Sequence, residues 1–121
     1  MARSSTIDQI RQARDTALAA LGSAIKAVSR KIELTTGPDD ALEAQLDALM
    51  EQREAIEAAA TDAVLALPEV IAAAAALNAL SAKMKATAQE LPLAADALTK
   101  AAAVLALGQQ FSETVEKVRK G

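Results

Sequence analysis

Proline occurs only three times in this chain, and the three prolines are separated by roughly the length of one long helix. They divide the 121 residues into four segments and lie at Pro38, directly after Gly37, at Pro68 and at Pro92. Within each segment apolar residues recur at helical spacing, and no stretch alternates as a β-strand does. The sequence therefore predicts an all-α protein of one domain, residues 1–121, with helices at roughly 6–35, 39–67, 68–90 and 92–119.

The first two predicted helices have apolar stripes that match when the chain folds back at Gly37-Pro38. This register places large apolar residues opposite each other over about six turns. The facing pairs are Ile32 with Leu42, Val28 with Leu46, Ile25 with Leu49, Leu18 with Ile56, and Ile10 with Val64. A similar fold at Pro92 brings Met84 near Leu98, so we predict an antiparallel four-helix bundle built from two long helical hairpins.

The chain lacks the side chains that carry most enzyme chemistry. It has no histidine, cysteine, tryptophan or tyrosine, and its one aromatic residue is Phe111. Di-iron helical bundles use inward-facing histidines, and calcium loops need alternating oxygen ligands around a glycine, so neither site is expected. We predict a protein that is not an enzyme and has no cofactor, metal site or catalytic residue.

Charge and hydropathy narrow the possible partners. A formal net charge of −3 with no stacking aromatics argues against binding of nucleic acid. The most apolar stretch, residues 63–82, contains Pro68 and Glu69 and is rich in alanine. Alanine gains little free energy on transfer into lipid, so we do not expect this stretch to span a membrane. Residues 1–6 lead directly into an amphipathic pattern without an apolar signal core, so we expect a cytoplasmic protein.

One flank of the second predicted helix gathers acidic residues. Between residues 38 and 62 there are eight acids and a single base, Arg53. At about 100° per residue, six of the acids fall on one side, away from the apolar stripe. They form what we call the acidic ridge: Asp40, Glu43, Asp47, Glu51, Glu54 and Glu57. The ridge is either an ordinary solvated face, partly offset by cations of the first helix, or a docking surface for a basic protein.

The third predicted helix carries alanine where a surface helix usually carries polar residues. This alanine face comprises Ala72, Ala75, Ala79 and Ala82. Alanine costs little to expose, so the face could simply meet water. It could instead pack against Ala101–Ala103 of the fourth helix, or bind another molecule, including a second copy of the chain in a homo-oligomer.

These surfaces predict a small helical protein that acts by binding another protein. An immunity-type inhibitor or a chaperone-like adaptor would use the acidic ridge to dock a basic partner. The alternatives are an amphipathic coat or membrane-surface protein and a structural homo-oligomeric scaffold, which would use the alanine face. Alanine-rich bundles of this size occur among bacterial immunity proteins, secretion chaperones, phasin-like proteins and coiled-coil adaptors, an analogy of fold that carries little functional weight.

Overall fold

The computed structural model describes residues 2–37, 39–93 and 96–120, and over these residues the protein is all-helical. The six helices are α1 (Ala2–Leu34), α2 (Asp40–Ala59), α3 (Asp62–Leu65), α4 (Pro68–Ala72), α5 (Ala74–Glu90) and α6 (Ala97–Lys120). A 3-10 turn, Leu91–Leu93, follows α5, and no strand occurs within these ranges. The prediction of an all-α protein is confirmed, while Pro38, expected to open the second helix, lies outside the described residues.

The four long helices pack on one another, with α1 and α6 each contacting both α2 and α5. Arg14, in the first half of α1, donates a hydrogen bond to the carbonyl oxygen of Ala60, just after α2, at 3.2 Å. Further along α1, a Cβ atom at Gly22 would lie 3.9 Å from Nη1 of Arg53, which precedes Ala60 in α2. The two helices therefore run antiparallel, and Arg14 lies opposite Ala60, as the register of the predicted apolar pairs requires.

The core combines large side chains with fully buried alanines. Leu21, Leu49, Met84 and Phe111 have no exposed surface, and neither have the alanines at positions 17, 24 and 101. Because an alanine side chain is short, helices that meet through alanine can approach closely. The outer members of the predicted stripes are only partly buried and pack against the edge of this core: Leu18, Ile25, Ile32, Leu46 and Val64.

The second helix ends at Ala59 and does not continue to residue 67 as the apolar pattern predicts. After Ala60, the Thr61 side chain accepts a hydrogen bond from the backbone N–H of Val64 and so caps the short helix α3. Threonine and aspartate favour such caps over helix interiors. Asp62 is also held by Arg14, whose Nη1 lies 2.6 Å from its Oδ1, so a tertiary contact fixes the break.

The third and fourth predicted helices also differ from their observed bounds. Pro68 occupies the first turn of α4 as predicted, but the helix is interrupted at Ala73, whose N–H bonds to the carbonyl of Val70, three residues back. The fourth helix begins at Ala97 and not at residue 92, because Asp96 accepts a hydrogen bond from the N–H of Thr99 at 3.0 Å and caps α6.

Two glycines inside long helices allow a matched test of this packing. A Cβ atom at Gly108 in α6 would lie 3.1 Å from Cγ of Gln52 and 3.4 Å from Cε of Met84, whereas Gly22 in α1 has ordinary space. We expect Gly22→Ala to raise the free energy of unfolding by about 0.5 to 1 kcal/mol through helix propensity. Gly108→Ala should lower it by about 1 kcal/mol, because crowding outweighs that gain.

Urea denaturation of both variants checks this prediction. Equal stabilisation by the two alanines would mean that α6 does not approach Gln52 and Met84 as closely as described.

Candidate protein-binding surfaces

All six residues of the acidic ridge are exposed on α2. Glu57 pairs with Arg53, whose Nε lies 3.6 Å from Oε1 of the glutamate. The other five, Asp40, Glu43, Asp47, Glu51 and Glu54, form no ion pair with any side chain that the structure describes. The structure thus places the ridge on one solvent-facing flank, as the sequence predicts.

Part of the ridge has a local structural role. Asp39 caps α2 by accepting a hydrogen bond from the N–H of Leu42 at 3.1 Å, and Asp40 and Glu43 lie in the first turn, where negative charge stabilises the helix. Asp47, Glu51 and Glu54 lie beyond that turn, where the helix dipole no longer favours an acid. These three charges repel their neighbours without compensation inside the described fold.

The opposite face of α2 is anchored by a glutamine that sequence reasoning missed. Gln52 is buried, and its Nε2 donates hydrogen bonds to the carbonyl oxygen of Gly108 at 3.1 Å and to Oγ of Ser112 at 3.0 Å. Its position, three residues after Leu49 and four before Ile56, was the available signal, because that spacing places it on the buried stripe. The contact ties α2 to α6 and fixes the direction in which the ridge points.

Arg14 of α1 takes part in a structural contact with the chain that follows α2. The side chain of Arg14 is only 18% exposed and hydrogen-bonds Ala60, Asp62 and Asp15. Burial acts to lower its pKa, but the hydrogen bonds to Asp62 and Asp15 outweigh burial, so the pKa of Arg14 is raised. The hydrogen bond from Arg14, helped by its charge, in turn lowers the pKa of Asp62.

Stability should consequently depend on the protonation of Asp62. A carboxyl whose pKa is lower in the folded than in the unfolded protein stabilises the fold above its ordinary pKa of about 3.9, and the contribution disappears as the pH falls through the folded pKa. We expect Asp62→Asn to lose less stability than the wild type when the pH is lowered from 7 to 3, because only the wild type loses part of the contribution of an ionised carboxylate below its ordinary pKa of about 3.9.

Urea midpoints at the two pH values measure this difference. Asp47→Asn, which removes an exposed acid without an ion pair in the described fold, is the matched control; an equal change in both variants would contradict a specific role for Asp62.

The alanine face lies on α4 and α5, and its residues Ala72, Ala75, Ala79 and Ala82 are all exposed. The same helices bury Val70, Leu77 and Met84 on their inner side. These four alanines are therefore not packed against the fourth helix, whereas their neighbours Ala73 and Ala74 are partly buried against the core. The alanine face and the acidic ridge lie on different helices and do not form one site.

A third surface, which sequence reasoning did not identify, lies near the end of α1. Leu34 is 74% exposed and Leu93 is 90% exposed. A groove of about 280 Å³ lies here and is lined by Ala27, Arg30, Lys31, Leu34 and Pro92. The groove joins residues distant in sequence, so neither helical period nor charge count could reveal it.

Within the described ranges, no group of three or more acidic side chains is arranged to hold a metal ion. The same part of the chain contains no helix with the length and apolar character needed to cross a membrane. Comparisons of the chain with known protein families, with curated proteins and with solved structures gave no match.

Proposed function

We propose that this chain is a non-enzymatic four-helix bundle, formed by two long helical hairpins, that acts by binding a basic protein through its acidic ridge. The observation that carries this proposal is the exposed charge of Asp47, Glu51 and Glu54, which lie beyond the first turn of α2 and form no ion pair with described side chains. An immunity-type inhibitor or a chaperone-like adaptor in the cytoplasm would use such a surface.

The repulsion between neighbouring acids favours a binding role for the acidic ridge over that of an ordinary solvated face. Acids three or four residues apart on a helix each cost a few tenths of a kcal/mol through repulsion. A basic partner would relieve this repulsion, and complementary charge would speed encounter and reject partners of the wrong charge. Because Gln52 anchors α2 from the inner side, the ridge would meet its partner as a preorganised surface.

The test replaces Glu43, Glu51 and Glu54 together with glutamine, which keeps size and helix propensity while removing charge. The partner is first recovered from the native source by cross-linking, and association is then followed by stopped-flow mixing. We expect association to slow by about tenfold at low salt and its salt dependence to flatten, because steering by exposed charge is screened by salt.

A matched control replaces Glu69, Glu113 and Glu116 with glutamine. These residues are exposed, form no ion pair with described side chains and lie off the ridge, so the control has the same net charge. Equal slowing of association in both variants would mean that net charge alone causes the effect. Unchanged association kinetics in the ridge variant would mean that the ridge is an ordinary solvated face.

A structural homo-oligomeric scaffold, or a coat at a membrane surface, is the second candidate, favoured by the exposure of Ala75 and Ala79 on the alanine face. Under that alternative, Ala79→Glu would reduce oligomer size in size-exclusion chromatography without changing the free energy of unfolding of the monomer, because the introduced charge would face water there.

A further inference from the structure

The groove near the end of α1 combines apolar walls with uncompensated positive charge. Ala27, Leu34 and Pro92 provide apolar surface, and Arg30 and Lys31 provide the cations. A larger, more open depression shares Ala27, Arg30, Leu34 and Pro92 with the groove and is also lined by Lys26 and Glu33. The three cations and Glu33 together leave two net positive charges on this surface. None of the three cations forms an ion pair with a carboxylate among the described side chains.

The spacing of these cations matches the spacing of the acidic ridge. Lys26 and Arg30 are four residues apart on α1, as Glu43 and Asp47, and then Asp47 and Glu51, are on α2. Side chains four apart on a helix lie on one face with Cβ atoms about 5 to 6 Å apart. Two helices docked side by side can therefore pair these charges two at a time.

Apolar surface accompanies the charge on both sides. Leu34 lines the groove, and Leu93, which follows the groove residue Pro92, is also exposed. Met50, which is 48% exposed, lies on α2 one turn from Glu54 and Asp47. An interface that combines an apolar centre with charged edges is the usual composition of a specific protein contact.

We propose that this groove binds the acidic ridge of a second copy of the same chain. In this contact Lys26 and Arg30 of one copy pair with Asp47 and its neighbours on α2 of the next, while Met50 packs against Leu34 and Pro92. The inference rests on the proposed function, because the acidic ridge is its docking surface, and it names the partner of the ridge as the basic groove of a second copy.

The second copy is favoured over an anionic membrane by the charges at this end of the molecule. Glu33 borders the depression, and Asp39 and Asp40 follow the turn after α1, so an anionic lipid surface would meet acids as well as cations. A second copy presents the acids and the apolar residue at matching intervals. Since groove and ridge are different patches, the contact is heterologous, and assembly continues beyond a dimer unless a ring closes.

Sedimentation velocity of the intact chain, from micromolar to millimolar protein at low and high salt, tests the proposal. We expect the average mass to rise with concentration and to fall with salt. A groove variant (Lys26→Glu, Arg30→Glu, Lys31→Glu) and a ridge variant (Glu43→Lys, Asp47→Lys, Glu51→Lys) should each weaken self-association by about tenfold or more. Circular dichroism and urea denaturation establish that each variant is folded.

Mixing the two variants gives the decisive result. The groove variant retains its ridge and the ridge variant retains its groove, so an equimolar mixture should associate although neither variant does so alone. The control variant Lys83→Glu, Lys85→Glu, Lys117→Glu changes the net charge by the same amount as the groove variant, at exposed lysines elsewhere, and should associate like the wild type.

Three outcomes would overturn the inference: a wild type that stays monomeric at every concentration, a mixture that fails to associate, or association that is lost in Ala79→Glu but kept in the groove variant. A monomeric wild type would leave the proposed function standing, since that depends on the stopped-flow measurement with a separate protein. Loss of self-association in the Ala79→Glu variant would instead show that the chain self-associates through the alanine face.

Discussion

Replacing Phe111 with alanine is expected to lower the free energy of unfolding by about 3 to 5 kcal/mol. Phe111 is the only aromatic residue of the chain and is fully buried on α6. Many of the buried core residues are alanines, whose short side chains cannot extend into vacated space. The cavity should therefore persist, and its cost adds to the lost transfer of the ring from water.

Urea denaturation with parallel circular dichroism measures this loss. Phe111→Leu is the control, because it keeps the site apolar and leaves a smaller cavity, and it should cost about 1.5 kcal/mol or less. A loss below about 1 kcal/mol in Phe111→Ala would show that α6 packs more loosely than the described contacts require.

The helices themselves could be predicted from the sequence because helical periodicity and proline punctuation are local signals. Matching the two apolar stripes about Gly37-Pro38 predicted that α1 and α2 run antiparallel. The same register places Arg14 opposite Ala60. The end of α2 could not be predicted, since the apolar stripe continues to Leu67. Arg14 fixes that end through Ala60 and Asp62, which lie far from it in sequence.

The high alanine content explains why the sequence alone did not show which face of α5 is buried and which is exposed. Its small apolar side chain favours helix formation in a core and on a surface alike. Ala101 is fully buried on α6, whereas Ala75 and Ala79 are exposed on α5, although the residue type is the same. Only the positions of the neighbouring helices separate the two cases.

The sequence predicted the local features of the candidate site but not those that depend on contacts between helices. The exposure of the acidic ridge followed from its spacing on α2, because acids three and four residues apart share one flank. Gln52, which anchors the inner side of that helix, depends on the approach of α6 at Gly108. The groove likewise depends on Pro92 reaching the end of α1. What binds the ridge remains a prediction.

Replacing Leu49 with alanine is expected to cost about 2 to 5 kcal/mol of the free energy of unfolding. Leu49 is fully buried at the middle of α2, where the predicted register places it opposite Ile25 of α1, itself packed against the core. Truncation removes apolar contacts from the centre of the α1–α2 pair, and denaturant unfolding measures the loss.

Leu34→Ala is the matched control, because it makes the same deletion at a leucine that is 74% exposed. It should change the free energy of unfolding by less than about 0.5 kcal/mol. A change that small in Leu49→Ala would place Leu49 near the surface and contradict the antiparallel pairing of α1 and α2. Because Leu34 also lines the groove, the same control should weaken self-association while the fold stays intact, which separates the contribution of this side chain to binding from its contribution to stability.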